Sequence, residues 1–233
     1  MQEQITTVTF FKHRTLSSRL WAFTQMGVGG KSLSSVTDLA FFKLMGTGAG
    51  KGFSWMPDFS SYCLLAIWKD VSAAESFFQH HPYFQNWKSK TTEQITIYLK
   101  ATKVKGEWDA RQPFQIMEMS NDTSEKPIAV LTRATINKKR LLEFWRNVPQ
   151  TSKAIQEAKG VLFLKGVGEL PWVQQATVSV WTSKQAMREY AYGSKAHREV
   201  IQKTYARDWY SEEMFAEFQV VNIVGKWDSK AII

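Results

Sequence analysis

The stretch Phe42-Lys43-Leu44-Met45-Gly46-Thr47-Gly48 returns in the second half of the chain as Leu162-Phe163-Leu164-Lys165-Gly166-Val167-Gly168, an apolar run closed by Gly-x-Gly. Two further pairs keep the same order. Leu64 to Trp68 parallels Thr177 to Trp181, and Lys105-Gly106-Glu107-Trp108-Asp109 parallels Val224-Gly225-Lys226-Trp227-Asp228. Matches in one order mean that a structural unit occurs twice.

The pattern around these segments gives the unit its shape. Ile5 to Phe11 reads as a strand. A helix is expected over Thr15 to Met26, with Leu16, Leu20 and Phe23 on one face. Strands follow at Asp38 to Met45 and Tyr62 to Trp68, joined by a Gly-rich loop. A helix from Ser72 to about Trp87 is interrupted at Pro82, and Glu93 to Val104 is a strand. The second half repeats the order: strand Pro127 to Thr135, a helix capped by Asn137, strands Val161 to Lys165 and Ala176 to Trp181, a helix from Ser183 broken at Gly193, and strand Phe215 to Val224. Residues 110–126, rich in Pro, Asn, Asp, Ser and Thr, read as a linker between modules at 1–109 and 127–233. The expected fold is α+β: two tandem ferredoxin-like βαββαβ modules. Their sheets should close on each other as an intramolecular dimeric α/β-barrel, with a pocket between sheet and helices.

Composition narrows the function classes. The 233 residues are 44% hydrophobic and 14% aromatic, ample for a core. No apolar run approaches the roughly 20 residues that span a bilayer. The opening MQEQITTVTF lacks the regions of a signal peptide, so a cytoplasmic location is expected. The single Cys63 excludes an internal disulfide and a Cys-based zinc or iron–sulfur site within one chain. The net charge of +9 suits nucleic acid, anionic lipid or an anionic ligand. The basic residues are scattered and no nucleic-acid-binding signature is present, so nucleic acid is not expected as a partner.

The catalytic motifs fail on inspection. In Gly46 to Gly52 a phosphate loop would need Gly at Met45 and Ser or Thr at Gly52. Adjacent His80 and His81 do not face one another on a helix, and His13 has no partner in view. No nucleophile elbow or H-E-x-x-H occurs. His197 is different. It lies in KAHREVIQKTYARDWYSEE (Lys195 to Glu213), on a helical stripe with Val200, Ile201, Thr204 and Tyr205. A lone imidazole there is ordinarily a core residue; the alternative is a ligand. Asp208 to Glu213 reads as a wall without a counterpart in the first half. An aromatic pocket with one His suits a large apolar ligand or a planar cofactor.

Six segments then carry a resemblance: RLWAFTQMG (Arg19 to Gly27), FFKLMGTGAGKGF (Phe41 to Phe53), AVLTRATI (Ala129 to Ile136), FWRNVP (Phe144 to Pro149), LKGVGELP (Leu164 to Pro171) and DWYSEEMFAEF (Asp208 to Phe218). In register from about Ile5 to Trp227, they resemble the spheroidene monooxygenase family of acyclic carotenoid 2-ketolases. The resemblance implies haem b as cofactor, O₂ as oxidant, an external electron donor, which can be a protein, and a linear carotenoid as the hydrophobic substrate. A haem enzyme acting on another hydrophobic or nitrogenous molecule, or a haem- or carotenoid-binding protein without turnover, stays open. In this reading His197 is the iron ligand and one haem is held by the second half. Arg133, Lys165 and Arg198 are candidates to pair with propionates, each equally suited to a structural pair with Asp or Glu. Gln25 would hydrogen-bond bound O₂. Trp145, Trp181 and Trp209 would line the pocket, with Trp21, Phe23 and Met26. A lipophilic substrate and a basic chain imply contact with a membrane surface. The oligomeric state stays open.

Overall fold

The computed structural model describes residues 3–50, 52–117 and 126–232. The first half forms β1 (Ile5–Lys12), α1 (Leu16–Ser34), β2 (Leu39–Gly48), β3 (Pro57–Trp68), α2 (Val71–His80), α3 (Pro82–Lys90) and β4 (Glu93–Gly106). The second forms β5 (Ile128–Ile136), α4 (Leu141–Gln156) after a short 3₁₀ turn, β6 (Val161–Leu170), β7 (Gln174–Trp181), α5 (Lys184–Gly193), α6 (Lys195–Ala206) and β8 (Tyr210–Gly225). The eight strands close into one antiparallel barrel in the order β1-β3-β2-β6-β7-β5-β8-β4. The α+β barrel of two ferredoxin-like repeats is therefore the architecture.

The halves meet where the repeat is clearest. Gly46 pairs with Gly168 and Thr47 with Val167, so the two Gly-x-Gly segments lie side by side across the pseudo-two-fold axis. Gly46 and Gly48, expected in a loop, are strand residues of β2. The missing Cβ at Gly48, close to Ser54, and at Gly166, close to Gly52 and Phe53, lets the loop after β2 fold back over β6, where the Gly166 amide donates to the Gly52 carbonyl.

Strand alternation divides each strand between two environments. Val8, Phe10, Cys63, Leu65, Leu131 and Phe218 point into the barrel and fill it. Ile5, Phe11, Leu64 and Trp68 point outward beneath the helices of the first half, and Ile128, Val130 and Trp181 do so in the second. The repeated Gly-x-Trp-Asp segments close the barrel ends. Gly106 (φ 86°) and Gly225 (φ 101°) take left-handed backbone beside the neighbouring strand, where a Cβ would run into the Glu213 and Gln94 carbonyls. Each turn delivers a tryptophan to one mouth. Trp108 is fully buried over Phe41, and Trp227 packs on Phe10 and Phe163. Of the segment expected as a linker, Phe114 is buried against Phe218 in the barrel core.

Two local readings change. Tyr210–Glu213 belongs to β8 rather than to a separate wall. The β4–β8 register makes Glu212 the counterpart of Glu93, because Gly106 opposite Met214 mirrors Gly225 opposite Ile95. On α1, Leu16, Leu20 and Phe23 face solvent, while Ala22, Gly29 and Leu33 meet the sheet.

Candidate functional site

The pseudo-symmetry allows the two halves to be compared position by position. Trp68 and Trp181 end their strands, Asp70 and Ser183 cap the following helices, and His81 and Ser194 end them. Trp68 packs on Phe77 at 4.9 Å, and Trp181 stacks on Tyr190 at 5.4 Å. In this register His197 is the counterpart of Phe84, which is buried against Phe11, Phe77 and Phe78. The side chains of residues 195–197 lie outside the described ones. The backbone of His197 is helical and shares a helix face with half-buried Val200 and buried Thr204.

The same comparison finds a cleft. The first half fills the space between helices and sheet with Phe11, Phe78, Phe84 and Trp87. Phe11, Phe78 and Trp87 correspond to Ala134, Ala191 and Val200 in the second. The underlying sheet shows the consequence. Thr9 is 0% exposed and Leu64 2%, whereas their counterparts Thr132 and Thr177 are exposed and half-buried. Thr132 and Thr177 are direct cross-strand partners, so two hydroxyls stand side by side on the floor of this cleft. Thr9, by contrast, bonds Thr96 at 3.0 Å, and the place of Thr96 is taken by Phe215. Burial pushes Tyr190 and Tyr210 up to about 12, so both stay neutral phenols.

The other expected site residues do not gather there. Arg133 and Lys165 point into the barrel, at opposite mouths. Arg133 pairs with Glu212, lies 3.7 Å from Glu169 and 3.9 Å from Asp109, and sits over Trp108 at 5.5 Å. Lys43 binds the same Asp109 and Glu169, and the Trp108 indole donates to Glu169 at 2.8 Å. Burial lowers the Arg133 pKa and the carboxylates oppose it. Lys165 lies 3.6 Å from Asp58 and donates to the Gly50 carbonyl at 2.9 Å. These are the structural pairs that the sequence left open. Arg198 is exposed and donates to the Tyr192 carbonyl. Gln25 is on α1 in the first half. Trp145 stacks on Phe53 at 5.1 Å and donates to the Trp172 carbonyl, beside a groove of about 60 Å³ where the halves meet. Trp181 is buried beneath Tyr190, with its indole N–H donating to Ser179. Trp209 is fully buried against Phe144, with its indole N–H unpartnered among the described residues.

Cys63 and three of the four histidines are described with their side chains. Cys63 is sealed in the barrel and burial pushes its thiol up. His81 caps α3 and stacks on Phe77. His80 is exposed at the end of α2. His13, which seemed partnerless, is 1% exposed; its Nδ1 meets the Lys90 carbonyl at 3.0 Å. Its Nε2 is unpartnered, but Trp21, Tyr62 and Trp87 close around the ring at 5.6–6.4 Å and leave no room for a macrocycle. The backbone of His197, the remaining histidine, lies on α6 in the second half. Sequence reasoning missed Thr132, Thr177 and the Ala134–Ala191 space. A residue-by-residue alignment of the two repeats carries that signal.

Comparison with known proteins agrees in fold and sequence. No family model matches the chain. Solved structures of aldoxime dehydratases superpose with TM-scores of 0.64 and 0.65 at 12% and 10% identity, covering 94% and 99% of this chain and 80% and 87% of theirs; the first holds butyraldoxime. The spheroidene monooxygenase of Cereibacter sphaeroides is 35% identical over 228 residues, 97% of this chain and 70% of that protein. The spheroidene monooxygenase of Rhodobacter capsulatus is 27% identical over 97% of this chain and 94% of its own. With that identity spread over nearly its whole length, the chain belongs to the spheroidene monooxygenase family.

Proposed function

We propose that the chain is a haem-dependent monooxygenase that oxidises a linear carotenoid with O₂, holding the haem in the cleft of the second half through His197. The observation that carries the reading is the asymmetry between repeats. One half is packed solid with aromatic rings; the other has Ala134, Ala191 and Val200 in their places and an imidazole in the place of Phe84. A flat group inserted between sheet and helices would fit that exchange. When bound, haem would supply O₂ activation, with two electrons from an external donor.

The protein's part follows from the cleft walls. Tyr190, backed by the buried Trp181 ring, gives an aromatic side suited to a conjugated polyene. Thr132 and Thr177 present hydroxyls that can donate to an oxygen atom held over the floor. The neutral Tyr190 phenol keeps charge away from an apolar substrate. Family membership supports the substrate class.

The test is incubation of hemin-loaded protein with a linear carotenoid, reductant and O₂, read by mass spectrometry. An O₂- and reductant-dependent gain of one oxygen atom is expected. Haem and carotenoid binding without that gain would make the protein a carrier.

A further inference from the structure

We infer that α1 and the segment leading into β3 form a docking surface for an anionic lipid bilayer. Helix α1 is apolar on two opposite faces. Ala22, Gly29 and Leu33 are buried on the sheet, while Leu16 and Phe23 are 73% and 55% exposed on the far side, with Leu20 between them. Gly27 and Gly30 continue this outer face, with open space beyond each. A surface helix ordinarily turns charge, not leucine and phenylalanine, to water. The outer face is also not isolated: Phe23 touches Phe59 at 5.9 Å, and exposed Trp55 and Met56 precede Phe59 in the chain. Such a contiguous apolar patch marks an interaction site.

Charge identifies the occupant. From Gln4 to Thr37 the chain has no Asp or Glu, and Arg14, Arg19 and Lys31 are exposed around the apolar face. Cations rimming leucine, phenylalanine and tryptophan match an anionic bilayer, where the rim meets headgroups and the rings enter the acyl boundary. A second copy would bring the same cationic rim and be repelled. No helix among the described residues is long and apolar enough to cross a membrane, so contact here is from the surface. The inference does not depend on the haem or carotenoid reading.

Flotation with vesicles tests it. The protein should bind phosphatidylcholine vesicles containing phosphatidylglycerol, bind phosphatidylcholine alone far less, and be released by salt. Leu20→Gln with Phe23→Gln should lower the partition coefficient about tenfold or more at unchanged melting temperature, and Arg19→Glu with Lys31→Glu should do the same. Leu142→Gln, at an exposed apolar position on α4, should leave binding unchanged. Equal binding of the α1 variants, or no binding by the wild type, would overturn the proposal. So would a wild-type dimer that Leu20→Gln with Phe23→Gln converts to monomer, because the face would then be an interface between copies.

Discussion

Ala191→Phe puts back into the second half the ring that the first half carries at Phe78. Phe78 packs on Phe84 at 4.8 Å and on Tyr98 at 6.0 Å; Ala191 is half-buried beside Trp181 and Tyr190. A phenyl group covering about 80 Å² there, at ~25 cal/mol per Å², stabilises the free protein by about 2 kcal/mol. The poorer helix propensity of Phe removes roughly 0.5 kcal/mol of that. A ligand occupying the cleft must expel the ring and forfeit its burial, so affinity should fall by about 2 kcal/mol, roughly 30-fold in Kd. Thermal unfolding of the free protein and hemin titration followed at the Soret band measure the two effects. A variant that melts higher and binds hemin as the wild type does would show that the ligand is not in this cleft. A variant that melts much lower would show that the cleft is not open.

Other perturbations separate structural from functional roles. Arg133→Met leaves Glu212 and Glu169 short of a buried cation, which should cost about 3 kcal/mol and lower the Tm by roughly 6–12 °C, while hemin affinity stays unchanged; a selective loss of hemin affinity would restore the propionate role. His13 gives an acid-sensitive contribution. Burial holds its pKa below the ordinary 6.5, so stability is full above 6.5 and is lost as pH falls toward the folded value, because the unfolded chain takes up the proton first. His13→Phe should flatten that part of a Tm-against-pH curve; an unaltered slope would place the titration elsewhere.

The fold was legible because the sequence repeats itself. Phe42 to Gly48 and Leu162 to Gly168 gave both the number of modules and, through strand alternation, the barrel. Which side of a strand faced the helices was not legible. Interior and exterior are both apolar here, so Arg133 and Lys165 could be placed on either, and the structure puts them inside the barrel. Which face of α1 is exposed was not legible for a related reason. Its Leu16, Leu20 and Phe23 stripe obeys helical spacing, and periodicity cannot say which of two apolar faces meets the sheet. His13 looked solitary because its neighbours come from α1, β3 and α3. The cleft was within reach of the sequence, since Phe11, Phe78 and Trp87 against Ala134, Ala191 and Val200 is a comparison of letters. It needed the strand and helix register to line them up.

In the proposed function an imidazole at position 197 would hold iron in the second half. The direct measurement is the absorption spectrum of hemin-loaded protein in the wild type, His197→Ala and His13→Phe. His197→Ala should lose the wild-type Soret band, added imidazole should restore it, and His13→Phe should keep it. A wild-type spectrum in His197→Ala, or a loss confined to His13→Phe, would mean that His197 is not the ligand.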